Sequence, residues 1–346
     1  MALITNASLL AINAELERKN TLLMRFANKY ARTSWLDIRN KVRGGTISEN
    51  LVVGDELIVS YIYNGTEYDM PWLVVAIDRE VEWEDGTKHP GLFLQSKFGT
   101  IETIQFDAPE VNIVDLTEEP NAVEGWNYWG IAGSTYTKLT LEAGDPLPTT
   151  YDAIRKCWIN HIDVIRYGYN RWSHSAYRQW LNSAAGRGLW WEAQHPGDAA
   201  PSEHNTYPGF MAGLDSDFLD VLTPIKVQTA CNTVTDGGVT DITLDTFFLP
   251  SIEEMYGAPQ LANVEGPFFP YWQAATGFLS PSNDANDARK VYKLNAQTGS
   301  AVYSRCRSAG RGGAYGVWYS PGSGALNGSY AYAYGSYASQ PVCVIS

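Results

Sequence analysis

The sequence predicts a strand followed directly by a helix in the stretch Phe247-Phe248-Leu249-Pro250-Ser251-Ile252-Glu253-Glu254. The apolar residues before the proline continue a predicted strand, and the serine with the second glutamate forms the capping-box pattern that opens a helix. Gly257 predicts the end of that helix, because glycine readily adopts the left-handed conformation found after helix C-termini. Strands joined to short helices in this way predict a fold of the α+β class.

Further strands and helices are predicted on both sides of this stretch. Asn64 and Gly65 together are a type I′ hairpin signal between two strands. Ser173 is predicted to cap a helix that ends at Gly186, and Asp215 or the residue after it starts another. The predicted strands cover residues 57–63, 72–77, 91–95, 225–230, 239–249, 301–306 and 341–345.

The N-terminal segment, residues 1–46, carries an apolar stripe with heptad spacing that only Lys19 interrupts. A helix over 6–31 is therefore predicted. It either packs on its own domain or bundles with copies of itself, and we expect a homo-oligomer, with a trimer favoured. The stripe consists of Leu9, Ile12, Leu16, Leu23, Phe26 and Tyr30.

Composition and charge exclude several classes of protein. The net charge is −13, from 38 acidic and 25 basic residues, which argues against general nucleic-acid binding. Apolar residues make up 45 % of the chain, as in globular proteins. The longest apolar runs are far shorter than the roughly 18 residues that span a bilayer, so no membrane insertion is predicted. The N-terminus lacks the pattern of a signal peptide, so we expect synthesis in the cytoplasm.

Residues 309–339 differ from the rest of the chain. They contain eight Gly, six Tyr, six Ala and five Ser, and no Asp or Glu follows Asp287. Residues 288–346 therefore carry a charge of +6, against −19 for the remainder. A flexible tail would explain the glycines and serines but not the tyrosines, and predicted strands lie on both sides.

This mixture is typical of antibody contact surfaces, in which tyrosine supplies rigid contact area and serine adaptable hydrogen bonds. We therefore predict a ligand-binding surface in this segment. Its predicted contact residues are Tyr315, Trp318, Tyr319, Asn327, Ser329, Tyr330, Tyr332, Tyr334 and Tyr337.

Four stretches resemble, in order, motifs of the C-type-lectin-like domains common in bacteria and phages. The stretch Trp172-Ser173-His174-Ser175-Ala176-Tyr177-Arg178-Gln179-Trp180-Leu181-Asn182 is similar to the family's S-x-x-R-x-W-L-N helix, and residues 247–254 are similar to its F-L-x-S-x-E-E step. Arg305-Cys306-Arg307-Ser308 resembles the W-L-R-S strand, with Arg and Cys at its first two positions. Residues 340–345 resemble the closing R-P-x-x-x-I strand, with Gln in place of Arg.

The resemblance covers residues 47–346, with an insertion at about 100–150, and the composition of 309–339 is similar to the variable region of proteins diversified by retroelements. It implies a C-type-lectin-like domain that holds diversified side chains on one face, preceded by an N-terminal helix. The implied function is non-catalytic recognition of a host cell-surface protein or glycan by a phage receptor-binding protein on the virion. The alternatives are an enzyme on the same scaffold, as a glycan hydrolase or cysteine-dependent oxidase, and a structural decoration protein of the virion.

Motifs of catalysis and metal binding are missing from the sequence. Four cysteines are too few for a disulfide framework, and Cys306 and Cys343 fall in predicted strands, where we interpret them as buried thiols. A bridge between these two stays open. No zinc-site spacing, phosphate-binding loop or nucleophile elbow occurs, so no catalytic residue, metal or cofactor is predicted.

Overall fold

The computed structural model describes residues 34–111, 128–132, 135–139, 151–152, 157–158, 162–195, 197–258, 261, 263–276, 287–326 and 331–346. These residues combine short helices with antiparallel strands, which confirms the α+β class. The predicted helix over 6–31 and much of the predicted insertion at 100–150 lie outside the described residues.

The described part of the chain contains six α-helices and sixteen strands. The helices are α1 (Trp35–Arg43), α2 (Ile162–Tyr167), α3 (Ala176–Leu181), α4 (Ser216–Leu219), α5 (Ile252–Tyr256) and α6 (Pro270–Thr276). The strands are β1 (Glu56–Tyr63), β2 (Thr66–Glu82), β3 (Lys88–Ser96), β4 (Ile104–Gln105), β5 (Tyr128–Ala132), β6 (Thr135–Leu139), β7 (Tyr151–Asp152), β8 (Cys157–Trp158), β9 (Ile225–Ala230), β10 (Thr240–Asp245), β11 (Phe247–Phe248), β12 (Ser304–Ala309), β13 (Gly316–Ser320), β14 (Ala331–Tyr332), β15 (Ser336–Tyr337) and β16 (Val342–Ile345).

The main sheet has five strands in the order β1-β2-β3-β16-β11. Its first hairpin turns at Asn64 and Gly65, whose φ angles of 48° and 78° are the two positive values that a type I′ turn requires. The C-terminal strand β16 is buried along its whole length, because it lies between β3 and β11. The last residues of the chain are thus part of the core.

Helix α1 packs against this sheet. Ile38 and Val42 belong to the main hydrophobic core, and the Trp35 ring lies 4.7 Å from the ring of Phe218. Arg43 donates two hydrogen bonds, of 3.1 and 3.2 Å, to the carbonyl oxygen of Ser346. No helix is predicted here from the sequence. Residues 35–43 fall within the predicted N-terminal segment 1–46, but α1 packs on the folded domain.

Three of the predicted helix starts can be compared with the structure. The caps at Asp215 and Ser251 are confirmed, the second as a full capping box with Glu254. The predicted cap at Ser173 and the predicted end at Gly186 are wrong, because Ser175 caps α3 and the helix ends at Leu181, with Asn182 as its C-cap. The Ser173 hydroxyl instead donates to Asp241 at 2.5 Å, so a tertiary partner takes the group that could have capped a helix.

The C-terminal segment forms a second, smaller sheet in the order β12-β13-β14. All six residues of β12 are buried, and the strand begins and ends three residues later than the predicted 301–306. The described parts of 309–339 are therefore folded onto the domain rather than extended as a tail.

Candidate functional site: a tyrosine surface

Eight of the nine predicted contact residues divide into three sets in the structure, and Trp318 stands apart from them. Tyr332 and Tyr334 are 43 % and 39 % exposed. Tyr315, Tyr319 and Tyr337 are half-buried at the same surface. Asn327, Ser329 and Tyr330 lie outside the described residues.

Trp318 requires a correction. Only 9 % of this residue is exposed, and it packs in the main hydrophobic core. Successive side chains of a strand point to opposite faces, so the outward position of Tyr319 on β13 directs its neighbour inward. The expectation of a solvent-facing Trp318 is therefore wrong.

The first group of rings, here called the Tyr167 cluster, consists of Tyr167, Tyr315, Tyr332 and Tyr334. Tyr167 stacks on Tyr332 with 4.3 Å between ring centroids and 10° between ring planes. Tyr334 is nearly parallel to Tyr332 at 5.6 Å, and Tyr315 lies 5.4 Å from Tyr332 at a tilt of 44°. Offset and tilted pairs at these separations attract one another beyond simple burial, so the rings support each other's positions.

The second group, here called the Tyr303 cluster, consists of Tyr303, Tyr319 and Tyr337. The three ring centroids are 5.3 to 5.9 Å apart. Tyr303 is 45 % exposed, so this cluster also presents ring surface to solvent. The two clusters together are the tyrosine surface.

Each cluster contains one ring that the sequence analysis missed. Tyr167 is the last residue of α2, and Tyr303 immediately precedes β12, so both lie outside 309–339. One local signal could have identified Tyr167: the stretch Tyr167-Gly168-Tyr169-Asn170 has the same composition as the tyrosine-rich segment. For Tyr303 we find no such signal, since it sits beside a predicted strand.

Arg305 holds the loop between β14 and β15 from below. Its guanidinium donates to the carbonyl oxygens of Tyr332 at 2.6 Å and Gly335 at 2.8 Å, and lies 4.4 Å from the centre of the Tyr337 ring. Arg305 is fully buried, and this burial lowers the pKa of its guanidinium to about 10. It therefore stays charged at neutral pH.

Asn170 holds the other end of the segment. Its amide nitrogen donates to the carbonyl oxygens of Gly310, Gly313 and Gly316 at 3.3, 2.7 and 2.8 Å. Its amide oxygen accepts a hydrogen bond of 2.9 Å from Asn232. One fully buried side chain thus closes the turn that precedes β13.

Strand β15 connects the tyrosine surface to the first half of the chain. It pairs with β4, and Gln105 donates to the carbonyl oxygen of Tyr334 at 2.8 Å. The Tyr334 amide donates to the carbonyl oxygen of Tyr167 at 2.9 Å. Ser336 donates to the carboxylate of Glu203. The backbone under the exposed rings is therefore bonded from several elements.

An ionic network supports the segment that carries Tyr167. Arg171 makes a bidentate pair with Asp241, at 2.6 and 2.7 Å. Burial alone would raise the pKa of Asp241, but the hydrogen bonds from Arg171 and Ser173 outweigh it and lower that pKa to about 2. Tyr169 donates to Asp236, and burial raises the pKa of both groups. These groups are paired with one another inside the protein and do not form an open reaction cleft.

The three cysteines whose side chains the structure describes, at positions 231, 306 and 343, are free and buried. The structure therefore contains no bridge between Cys306 and Cys343. Burial raises the pKa of Cys306 to about 12 and that of Cys343 well above its ordinary value. Both thiols stay protonated at neutral pH, whereas thiol chemistry requires the thiolate.

A partly enclosed cavity of about 170 Å³ lies elsewhere, between β2, β9 and the loop after α5. Its charged lining residues are paired, Arg79 and Arg307 with Glu254 and Lys226 with Glu82. Among the described residues, no group of three or more His, Cys, Asp or Glu side chains is arranged to hold a metal ion.

The chain belongs to the family described as a domain of unknown function, DUF6273, whose model matches residues 155–346. This region includes the tyrosine surface and the residues that hold it, except those of β4. Neither the curated proteins nor the solved structures provide a match to the chain. Within the described ranges, every helix is too short or too polar to cross a bilayer.

Proposed function

We propose that this protein recognises a macromolecular ligand on a host cell surface without catalysing a reaction, and that the tyrosine surface makes the contact. The proposal includes a C-type-lectin-like scaffold, a diversified segment at 309–339 and a phage virion as the site of action. The ligand is a protein or a glycan.

The exposure of the paired tyrosine rings carries this proposal. Tyr303, Tyr332 and Tyr334 are about two-fifths exposed, so each cluster presents ring surface to solvent. The backbone of residues 332–335 is hydrogen-bonded to Arg305, Gln105 and Tyr167. Tyrosine rings held in this way lose little conformational entropy on binding and supply much contact area. Such a surface suits recognition of a large partner better than chemistry on a small substrate.

The positions of the four motifs support the scaffold. The stretch similar to the family's helix contains α3, and residues 247–254 run from β11 into the capped helix α5. The stretch Arg305-Cys306-Arg307-Ser308 lies in β12, and residues 340–345 contain β16. Each stretch thus has the secondary structure that the resemblance predicts for it.

Replacing Tyr332 and Tyr334 together by alanine is expected to weaken binding by at least about 100-fold, since buried aromatic contacts at interface centres contribute about 2 kcal/mol or more each. The free energy of unfolding should change little, because both rings are already partly in water. Binding would be measured on intact cells of a panel of bacterial strains and on an array of bacterial surface glycans.

The double variant Ile58→Ala and Ile62→Ala is the matched control. These residues are 48 % and 57 % exposed on the edge strand β1, so the variant also removes exposed apolar surface. It should bind as the unaltered protein does. Equal binding by both double variants would contradict the proposal, binding to no probe would favour a decoration protein, and turnover of a glycan would favour an enzyme.

The N-terminal segment is proposed to join several copies, so that weak single contacts combine by avidity. Removal of residues 1–33 is expected to reduce the assembly to monomers, as measured by light scattering. The cut leaves Trp35 and α1 in place, because they pack on the domain. An unchanged mass would contradict the oligomerising role of this segment.

A further inference from the structure

Three acidic side chains and two histidines lie together beneath the tyrosine surface: Asp107, Glu110, His174, His195 and Asp198, here called the acid–histidine cluster. His195 Nε2 and Glu110 Oε1 are 2.5 Å apart, and both side chains are less than a tenth exposed. The His174 and His195 ring centroids are 5.4 Å apart, and Tyr169 meets both rings edge-on. The two acids that flank this pair, Asp107 and Asp198, repel each other when both are ionised.

Four atoms of this cluster are buried without a hydrogen-bond partner among the described residues: Asp107 Oδ1, His174 Nδ1, His195 Nδ1 and Asp198 Oδ1. Buried polar atoms are usually paired, because an unpaired one costs about 1–3 kcal/mol. Four such atoms in one cluster mean that a change in its charge acts on buried groups with few partners to compensate it.

The cluster is bonded directly to the tyrosine surface. The Asp107 amide donates to the carbonyl oxygen of Ala333, which lies between the two exposed tyrosines, at 3.2 Å. One carboxylate oxygen of Asp107 accepts a bond of 3.2 Å from the amide of Tyr169, two residues after Tyr167. Asp107 and Glu110 also follow β4, which pairs with β15. A displacement of residues 104–110 would thus displace the exposed rings.

We propose that the acid–histidine cluster is a proton-dependent latch on the tyrosine surface: a proton on His195, shared with Glu110, holds residues 104–110 in place, and its loss loosens residues 331–337. The latch regulates the surface assigned above, and its role in recognition rests on that proposed function.

The charges around His195 fix the direction of the effect. Burial alone would lower the pKa of His195, but Glu110 and then Asp198 outweigh both burial and the nearby Arg171, and raise it. Burial raises the pKa of Asp107 and of Asp198, and the neighbouring acids raise that of Asp107 further. A raised pKa in the folded state stabilises the fold below the unfolded value and ceases to do so as the pH rises through the folded value. Loss of a proton from His195, Asp107 or Asp198 therefore loosens the latch as the pH rises.

His174 acts in the opposite direction. Its burial, together with Arg171 and His195, lowers its pKa to about 4, despite the nearby Asp241. The lowered pKa of His174 reduces the stability of the folded state only as the pH falls from about 6.5 towards 4. In this range the imidazole takes up a proton in the unfolded chain but not in the folded one. Above about pH 6.5 the His174 ring is neutral in both states and no longer opposes the other three groups, so the latch should weaken on the alkaline side.

Hydrogen exchange of the ligand-free protein tests the latch. Between pH 6.5 and 8.5, after correction for intrinsic exchange, protection of the amides of residues 331–337 is expected to fall by about tenfold. The amides of β3 provide the internal reference and should keep their protection. A flat profile for residues 331–337 would overturn the proposal.

Two variants test whether the pair of His195 and Glu110 causes the pH-dependent loss of amide protection. His195→Gln and Glu110→Gln keep a hydrogen bond but remove a charge. In each variant the protection of the amides of residues 331–337 should fall by about threefold or less, because only Asp107 and Asp198 still lose protons. His89→Gln, on β3, should keep the full fall. If both cluster variants keep the full fall, the proposal is wrong, and either variant suffices if the other fails to fold. Since no ligand is used, a pH-dependent latch together with unchanged binding by the Tyr332 and Tyr334 variant would refute the proposed function alone.

Discussion

Replacing Glu254 by alanine is expected to lower the free energy of unfolding by about 3–5 kcal/mol, the usual cost of breaking a buried ion pair. Arg307 Nη1 and Glu254 Oε2 are 2.5 Å apart, and the two side chains are 2 % and 3 % exposed. Without the carboxylate, a guanidinium would stay buried with its counter-ion gone. The same carboxylate oxygen accepts the Ser251 amide at 3.0 Å, so the capping box of α5 would be lost as well.

The measurement is urea denaturation followed by tryptophan fluorescence, and Glu80→Ala is the matched control. Glu80 pairs with Lys88 at 2.7 Å, but these two side chains are more than 60 % exposed. Exposed pairs of this kind contribute less than about 1 kcal/mol. A loss for Glu254→Ala no larger than that for Glu80→Ala would show that this buried pair does not stabilise the fold.

Replacing Asn170 by alanine is expected to cost about 1–3 kcal/mol, the usual cost of a buried polar atom left unpaired, and to weaken ligand binding as well. The substitution removes the side-chain donor to the buried carbonyl oxygen of Gly313. The carbonyl oxygens of Gly310 and Gly316 lose the same donor but keep backbone amide donors. Because this turn precedes β13, its loosening should reach Tyr315 and Tyr319. Both effects can be measured with the denaturation and cell-binding assays above.

Asn40→Ala is the control for this variant. Asn40 is exposed on α1, where alanine is the better helix former, so the free energy of unfolding should change by about 0.5 kcal/mol or less. If Asn170→Ala is as stable as Asn40→Ala, the amide of Asn170 is not the support of the glycine turn.

The elements that the sequence predicts correctly depend on local rules. Asn64 with Gly65, and Ser251 with Glu254, act over four residues or fewer, and both patterns appear in the structure as predicted. Ser173 shows that a long-range contact can override such local rules. Both Ser173 and Ser175 can cap a helix, and the contact of Ser173 with the distant Asp241 decides between them.

The tyrosine surface was predictable only in part, for the same reason. Composition identifies the rings within 309–339, but their partners Tyr167 and Tyr303 are brought in by tertiary folding. The burial of Trp318 depends on which face of β13 turns inward, which residue composition does not specify. The supports Asn170 and Arg305 act through backbone carbonyl groups, and these leave no pattern in the sequence.

Those supports have a consequence for how the protein can change. Asn170 and Arg305 donate hydrogen bonds to main-chain carbonyl oxygens, which every amino acid possesses. These bonds therefore do not depend on which side chains the supported residues carry. Solvent-facing positions can then be exchanged one for another while the frame keeps its shape. We therefore expect this loop to tolerate many different side chains without a change in its backbone conformation.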